Sequence, residues 1–274
     1  MIRNSLLTAT AVLLAACASQ SPASHEEAQG AANIVASPAV AGPAERAWGA
    51  SAGKPVAFKE GTDEDSWSFG YSWPAQANAI APLDAILRAR KDKVRAERRG
   101  YWEEAQTECP PDAASCMNHY YEEHWAVVTD LAQWLSLSST VETYSGGAHG
   151  NQGFDALLWD KRAEKMREAT ELFQSERAFS DAVRADFCKA LDKERAKRRD
   201  NSGVEGFDDC FDPTDAVIIL GSSNAKAFDR IGFLIAPYLA GPYVEGDYEV
   251  TLPITAMLLS KVKAEFRDSF VVAK

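Results

Sequence analysis

Trp67-Ser68-Phe69-Gly70-Tyr71-Ser72-Trp73 sets an aromatic residue at every second position. Successive side chains of a strand point to opposite faces, so this period of two predicts a strand with one wholly aromatic face, ended by Pro74. Working outward, Ile80 to about Ala105 predicts a long helix with Ile80, Leu83, Ile86 and Leu87 as its apolar stripe. The following run RARKDKVRAERR reads as a solvated helix face, because Asp92, Glu97, Glu103 and Glu104 lie within or just beyond it. His119 to Leu131 and Trp134 to Tyr144 predict two further strands. Trp125, Val127, Thr129 and Leu131 alternate on the first, and Leu135, Leu137, Ser139 and Val141 on the second. The stretch SGGAHGNQG after Tyr144 suits neither helix nor ordinary strand. Phe154 to Trp159 returns to strand, and a helix from Glu176 to about Arg198 carries Phe179, Val183, Phe187 and Leu191 on one stripe.

The last third holds apolar runs at Ala216 to Leu220 and Phe228 to Ile235, then the alternation of Tyr248, Val250 and Leu252. A final helix is expected from Thr255 to Phe266. Strands and helices mix without a βαβ rhythm, so the fold class is α+β with antiparallel sheet. Two small subdomains are expected, residues 55–165 and 166–274, after a disordered tether.

The 274 residues carry 29 basic and 40 acidic side chains, a formal net charge of −11, and 46% are apolar. Such a chain buries a real core. Its acidic balance argues against nucleic acid as a partner, which needs clustered Lys and Arg on phosphates. It argues equally against basic adhesion to anionic lipid and favours a cationic partner, or simply solubility.

The N-terminus supplies an address. Arg3 precedes the apolar stretch Leu6 to Ala16, 11 residues long, the length of a signal-peptide core and short of the roughly 18 needed to span a membrane. Leu14-Ala15-Ala16-Cys17 resembles a bacterial lipobox, so residues 1–16 are expected to be a lipoprotein signal peptide. Cys17 is then the lipidated residue that ties the chain to a membrane. Ala18 follows it where an Asp would suggest inner-membrane retention; in a Gram-negative cell this reads as an outer-membrane lipoprotein facing the periplasm. Residues 17–54 are rich in Ala, Ser, Pro, Gly and Gln and read as a flexible tether. Losing Arg3 with the signal takes the net charge from −11 to −11 − 1 = −12.

Cys109, Cys116, Cys188 and Cys210 remain, an even number for an oxidising compartment. Sequence proximity favours Cys109–Cys116 and Cys188–Cys210 as bridges. A four-cysteine zinc site lacks its C-x-x-C spacing, and no metal or cofactor is expected. His25 lies in the tether, while His119 and His124, five apart on a strand, face opposite ways. His149, among Gly146, Gly147 and Gly150, sits either in a ligand-cradling loop or in a plain turn where it caps a carbonyl. Asp208, Asp209, Asp212 and Asp215 lack a calcium-loop pattern and read as a solvated acidic loop. No G-x-S-x-G, H-E-x-x-H or phosphate-binding loop is present, and no catalytic constellation emerges. A carboxylate pair flanking a glycan cannot be read from sequence.

Tyr144-Ser145-Gly146-Gly147-Ala148-His149-Gly150-Asn151, running on to Leu158-Trp159-Asp160 and Glu171-Leu172-Phe173, resembles the Y-x-G-G-A-H signature of a paired-domain family of unknown function. Members occur in the extracytoplasmic part of RsiV-type anti-sigma factors, which sense lysozyme, and ahead of the catalytic domain of PdaC-type peptidoglycan deacetylases. Gly232 to Ile254, GFLIAPYLAGPYVEGDYEVTLPI, resembles the closing segment of that family. Nothing in the chain resembles the deacetylase domain, a sigma-binding segment or its membrane helix. The resemblance therefore implies a non-catalytic module that binds a lysozyme-type muramidase or cell-wall glycan. The motif residues it marks as lining or shaping a site are Tyr144, Gly146, Gly147, His149, Tyr238, Tyr243 and Glu245. A peptidoglycan-acting enzyme, or a structural component of an envelope complex, is the alternative.

Overall fold

Strand β1 (Phe58–Glu64), β2 (Trp67–Trp73), β3 (His119–Asp130), β4 (Trp134–Ser145), β5 (Asn151–Asp160) and β6 (Lys165–Arg167) form one six-stranded sheet in that order. The computed structural model describes residues 57–200 and 202–274. The expected signal peptide at 1–16, lipidated Cys17, the tether to residue 54 and His25 lie outside the described residues.

The aromatic strand behaves as its period requires. Trp67, Phe69, Tyr71 and Trp73 are all buried, each no more than 2% exposed. β1 is the element the sequence reading missed, because Phe58 is its only large apolar residue; Phe58 stacks on Trp73 at 3.8 Å between centroids. β2 pairs with β3 in parallel, and the other neighbours in this sheet are antiparallel. The α+β fold with antiparallel sheet is as expected, and the β2–β3 pairing is its one parallel departure among the described strands. Between β2 and β3 the chain runs through α1 (Ala75–Asn78), α2 (Ala81–Glu108) and α3 (Ala114–Met117), a crossover of the kind a parallel pair requires.

Helix α2 covers the aromatic face, but not as a simple apolar stripe. Leu83 and Leu87 are fully buried near its start. Farther along, Arg90 lies 5.1 Å from the Trp125 ring, Arg95 5.6 Å from Phe69, Arg98 5.4 Å from Tyr121 and Arg99 4.1 Å from Trp102. The run exposes Arg88, Asp92, Lys93 and Glu97 as a solvated face should, but its other side is also the roof of the core. Long arginine stems cover rings while their guanidinium groups meet the ring faces and reach carboxylates at the rim. Glu60 on β1 takes both Lys91 and Arg95, and Glu64 takes Arg99 at 2.8 Å.

A bulge between Val127 and Thr129 interrupts the alternation on β3 and turns Val128 inward. Val128 packs with Ile219 and Leu234 of a second, antiparallel sheet made of β7 (Val217–Gly221), β8 (Arg230–Ile235) and β9 (Tyr248–Pro253). Helix α4 (Glu176–Arg199) lays Phe179, Val183, Phe187 and Leu191 on that sheet's core, all buried. Ser175 caps its start by accepting from Ala178 N at 3.0 Å, and Lys197, Arg198 and Arg199 sit at the negative end of its dipole.

The expected helix Thr255–Phe266 is broken in two, α5 (Ala256–Ser260) and a 3-10 turn (Ala264–Ser269). The reason is backbone pairing. Gln174 N donates to Lys261 O at 2.8 Å and Lys263 N to Leu172 O at 2.9 Å, with a bridge between Phe173 and Val262. Lys261 O and Lys263 N go to that bridge, while Lys261 N and Val262 N still close the last turn of α5 on Leu258 O and Leu259 O. Both expected disulfides are present, Cys109–Cys116 and Cys188–Cys210, as an oxidising extracytoplasmic compartment permits. Among the described residues no helix is long and apolar enough to cross a membrane.

Under α2, Glu123 is 1% exposed; its Oε2 accepts from the Tyr121 hydroxyl, and Arg90 stands 3.4 Å from its Oε1. Burial and the Glu123 carboxylate together push the Tyr71 hydroxyl well above its ordinary range. Arg90→Ala should therefore strand a buried carboxylate and cost about 1–3 kcal/mol in urea unfolding. Adding Glu123→Gln to that variant should recover part of the loss; no recovery would mean Arg90 acts by packing alone.

Candidate functional site

The β4–β5 connection is built around two glycines in the left-handed region, Gly146 at φ +92° and Gly147 at φ +100°. Gly147 N donates to Ser115 O of α3 at 3.1 Å. The Tyr144 hydroxyl lies 2.9 Å from Ser115 O and 2.8 Å from Gly147 O, and donates to one or the other. A Cβ on Gly146 would stand 3.2 Å from Ser115 O, so the turn is seated against α3. These contacts hold His149 at the turn's exposed edge.

His149 Nδ1 lies 2.8 Å from Gly150 O, which requires the Nδ1–H tautomer and leaves Nε2 as an acceptor. The turn reading of this residue, a histidine capping a carbonyl, is thus what the geometry contains. Its ring also does more. It stacks on Tyr243 at 3.9 Å with planes 20° apart, and the Tyr238 hydroxyl lies 3.4 Å from Nε2. Tyr243 donates to Gly150 O at 2.8 Å, and Tyr238 and Tyr243 are 5.6 Å apart. The two sequence motifs, some ninety residues apart, therefore meet in one aromatic cluster.

Tyr238 and its neighbour Val244 face solvent, 53% and 90% exposed. Tyr238 adopts φ +72°, an uncommon backbone for a residue with a Cβ, held by its N–H donating to Gly241 O at 3.0 Å. Glu245 does not join the exposed cluster. Its two oxygens accept from Arg199 at 2.7 and 2.8 Å, and Oε2 also accepts from the Tyr248 hydroxyl at 2.5 Å. The Arg199 hydrogen bonds hold the Glu245 carboxyl below its ordinary range. This residue shapes the Tyr243–Glu245 turn from beneath; a Cβ on Gly241 would fall 1.9 Å from its Oε2.

Sequence reasoning missed Tyr120 and Ser115. Tyr120 faces Tyr144 across β3–β4, the rings 6.0 Å apart, and a Cβ on Gly150 would lie 2.5 Å from the Tyr120 hydroxyl. Burial, then the Glu142 carboxylate, push that hydroxyl up from 10.0. Glu122 and Glu142 oppose each other on the same two strands, and His124 bridges Glu122 at 3.2 Å and Ser72 at 2.9 Å. His119 is buried on the other face, as the odd spacing requires, and burial lowers its imidazole.

The acidic loop after α4 exposes Asp208, Asp209 and Asp215, as a solvated loop should, and two of its carboxylates also bind locally. Asp212 caps the 3-10 turn Pro213–Asp215 and accepts from Ser180 at 2.9 Å, while Asp208 pairs with Arg199 at 3.1 Å. Asp155, Glu168 and Glu176 line a separate cavity of about 240 Å³. Burial, then Asp155, raise the Glu168 carboxyl. Among the described residues no group of three or more His, Cys, Asp or Glu could hold a metal ion.

Residues 60–152 match the family model described as Deacetylase PdaC, a stretch that contains the Tyr144–Asn151 signature. The PdaC-type resemblance of the sequence is borne out over those residues. No curated protein matches the chain. Two crystal structures are similar. One is a DUF3298 family protein from Pseudomonas aeruginosa PAO1, at 14% identity and a TM-score of 0.48, covering 81% of this chain and 99% of that one. The other is a DUF3298 family member from Bacteroides fragilis NCTC 9343, at 13% identity and a TM-score of 0.44, covering 78% and 94%.

The Glu245–Arg199 pair predicts a pH dependence. A carboxyl whose folded pKa is depressed contributes stability above its unfolded value, 4.5 here, and loses it as pH falls through the folded value. At neutral pH Glu245→Gln should cost about 1.5–3 kcal/mol, the worth of charged hydrogen bonds. The gap from wild type should close as unfolding is measured from pH 6 down to pH 3; a constant gap would separate the pair from acid stability.

Proposed function

We propose that this chain is a lipid-anchored, non-catalytic binding protein of the cell envelope, with the His149–Tyr238–Tyr243 cluster as its recognition surface. The ligand we favour is a lysozyme-type muramidase, with peptidoglycan next. One observation carries the reading: two separate motifs of the sequence converge on a single exposed aromatic cluster. Tyrosine is a good contact residue because it offers a large rigid area at little entropic cost, with a hydroxyl for hydrogen bonding. Beside the cluster, Glu122 and Glu142 give the sheet face a negative charge, and the whole chain is at −11. That charge suits a strongly cationic protein, drawn in by long-range attraction. A glycan would use the same rings for stacking.

A second reading, an enzyme acting on peptidoglycan, has one observation behind it. Glu168, whose carboxyl burial raises, and Asp155, which pairs with Arg90, line one cavity, two carboxyl groups of the kind such chemistry uses. Hydrolysis of cell-wall glycan that Asp155→Asn abolishes, with folding intact, would favour it.

The main test is calorimetry of the chain with an animal-type lysozyme at low and high salt. Saturable one-to-one heat that survives ~0.3 M salt supports specific recognition, since exposed charges are largely screened there. Heat that vanishes with salt, or none, overturns the lysozyme reading. Tyr238→Gly separates binding from folding: glycine removes about 1–2 kcal/mol of left-handed backbone cost, which offsets the lost packing of a half-exposed ring. Its melting temperature should stay near wild type while affinity falls roughly ten-fold or more.

A further inference from the structure

We propose that the Cys109–Cys116 bridge is a redox-sensitive positioning element for the aromatic cluster, acting through the Ser115 carbonyl. Helix α3, which contains Cys116, is four residues long and buries no side chain. A single helical turn is unstable by itself in water, so α3 must be held from outside. Besides the glycine connection itself, three contacts hold it. Gln106 Nε2 donates to Met117 O at 3.0 Å, the His119 ring hydrogen-bonds the Cys116 backbone, and the disulfide joins Cys116 to Cys109 at the end of α2. Only the last is covalent.

What α3 holds in turn is the glycine connection. Ser115 O is the acceptor for Gly147 N and lies within reach of the Tyr144 hydroxyl. Gly146 rests its backbone on Ser115 and Cys116. The same connection carries His149 onto Tyr243. The other bridge is embedded differently: Cys188 and Cys210 both pack against the large core cluster, beside Phe211. Loss of that bridge leaves apolar packing behind; loss of Cys109–Cys116 leaves α3 with hydrogen bonds and no buried side chain.

The reductant required is a dithiol. Its thiolate attacks one sulfur of the bridge, forming a mixed disulfide and releasing the other cysteine as a thiolate. Its second thiol then displaces the mixed disulfide. The bridge gains two electrons and two protons, and the dithiol leaves as a disulfide. The reduced α3 frays, Ser115 O drifts from Gly147 N, and the turn bearing His149 loosens. That this weakens ligand binding rests on the reading of the cluster given above; the loosening itself does not.

The test is hydrogen exchange on the full chain without ligand, comparing wild type with Cys109→Ala/Cys116→Ala. Amides of residues 143–151 should exchange roughly five- to ten-fold faster, about the worth of one hydrogen bond, while α4 keeps its protection. Tyr144→Phe, with the bridge intact, should reproduce part of the change. If the double variant does not fold, titrating the wild type with dithiothreitol under native conditions reads the same amides. Unchanged protection at 143–151 overturns the proposal, as does equal acceleration in α4, which would make the bridge a general staple. Failure of lysozyme binding leaves this measurement untouched.

Discussion

The four aromatic rings on β2 must be kept from water, and the element that covers them is a helix with few large apolar residues. Burying each ring is worth about 1.5–3 kcal/mol, so the face cannot be left open. Two fully buried leucines cover its start. Beyond Leu87, Val94 and Trp102 share the cover with arginines, whose aliphatic stems exclude water while their guanidinium groups meet ring faces for about 0.5–2 kcal/mol each. Glu60, Glu64 and Glu123 then balance charge along the seam. The order of effects matters: ring burial drives the packing, and the cations make a polar helix able to supply it.

That packing positions the site. With β2 fixed beneath α2, the parallel register of β3 follows, Trp67 opposite His119 and Phe69 opposite Tyr121. The β3–β4 hairpin then returns its far end to the beginning of β3, so Tyr144 lands opposite Tyr120, beside α3. The other half of the site is fixed from the second sheet by Arg199, which grips Glu245 and donates to Ala240 O at 2.9 Å. Each half is anchored by buried polar contacts of its own. The join between them is a stack, one imidazole on one phenol, with the Tyr243 hydroxyl on Gly150 O and Tyr238 alongside.

Much of this was legible in sequence where periodicity is local. The aromatic strand, the two long helices and β9 follow from local periodicity, β7 and β8 from short apolar runs, and the disulfides from proximity. The arginine roof was not, because a run of Arg and Lys has the same pattern whether it faces water or rings; only the aromatic strand before it could have hinted at a match. The split of the last helix depends on Leu172 and Gln174, nearly ninety residues earlier, which no local pattern registers. The same holds for the site. His149 and Tyr243 were marked separately by their motifs, but their contact is a product of two sheets. Tyr120 had a signal that went unused: a hairpin joining the two long strands pairs it with Tyr144.

The cluster carries costs that folding does not repay. Tyr238 sits in a left-handed backbone and leaves half its ring in water, so it gains little burial for the strain. Glu122 and Glu142 face each other directly across two strands, where like charges repel. His124 relieves Glu122 only when protonated, since a neutral imidazole brings no charge. Glu142 is exposed and makes no ion pair among the described residues. A cationic group arriving on this face would relieve the repulsion and meet the phenol rings beside it in the same step. Strain, exposed aromatic surface and uncompensated negative charge thus coincide at one edge of the sheet, which is where binding, rather than stability, has something to gain from each.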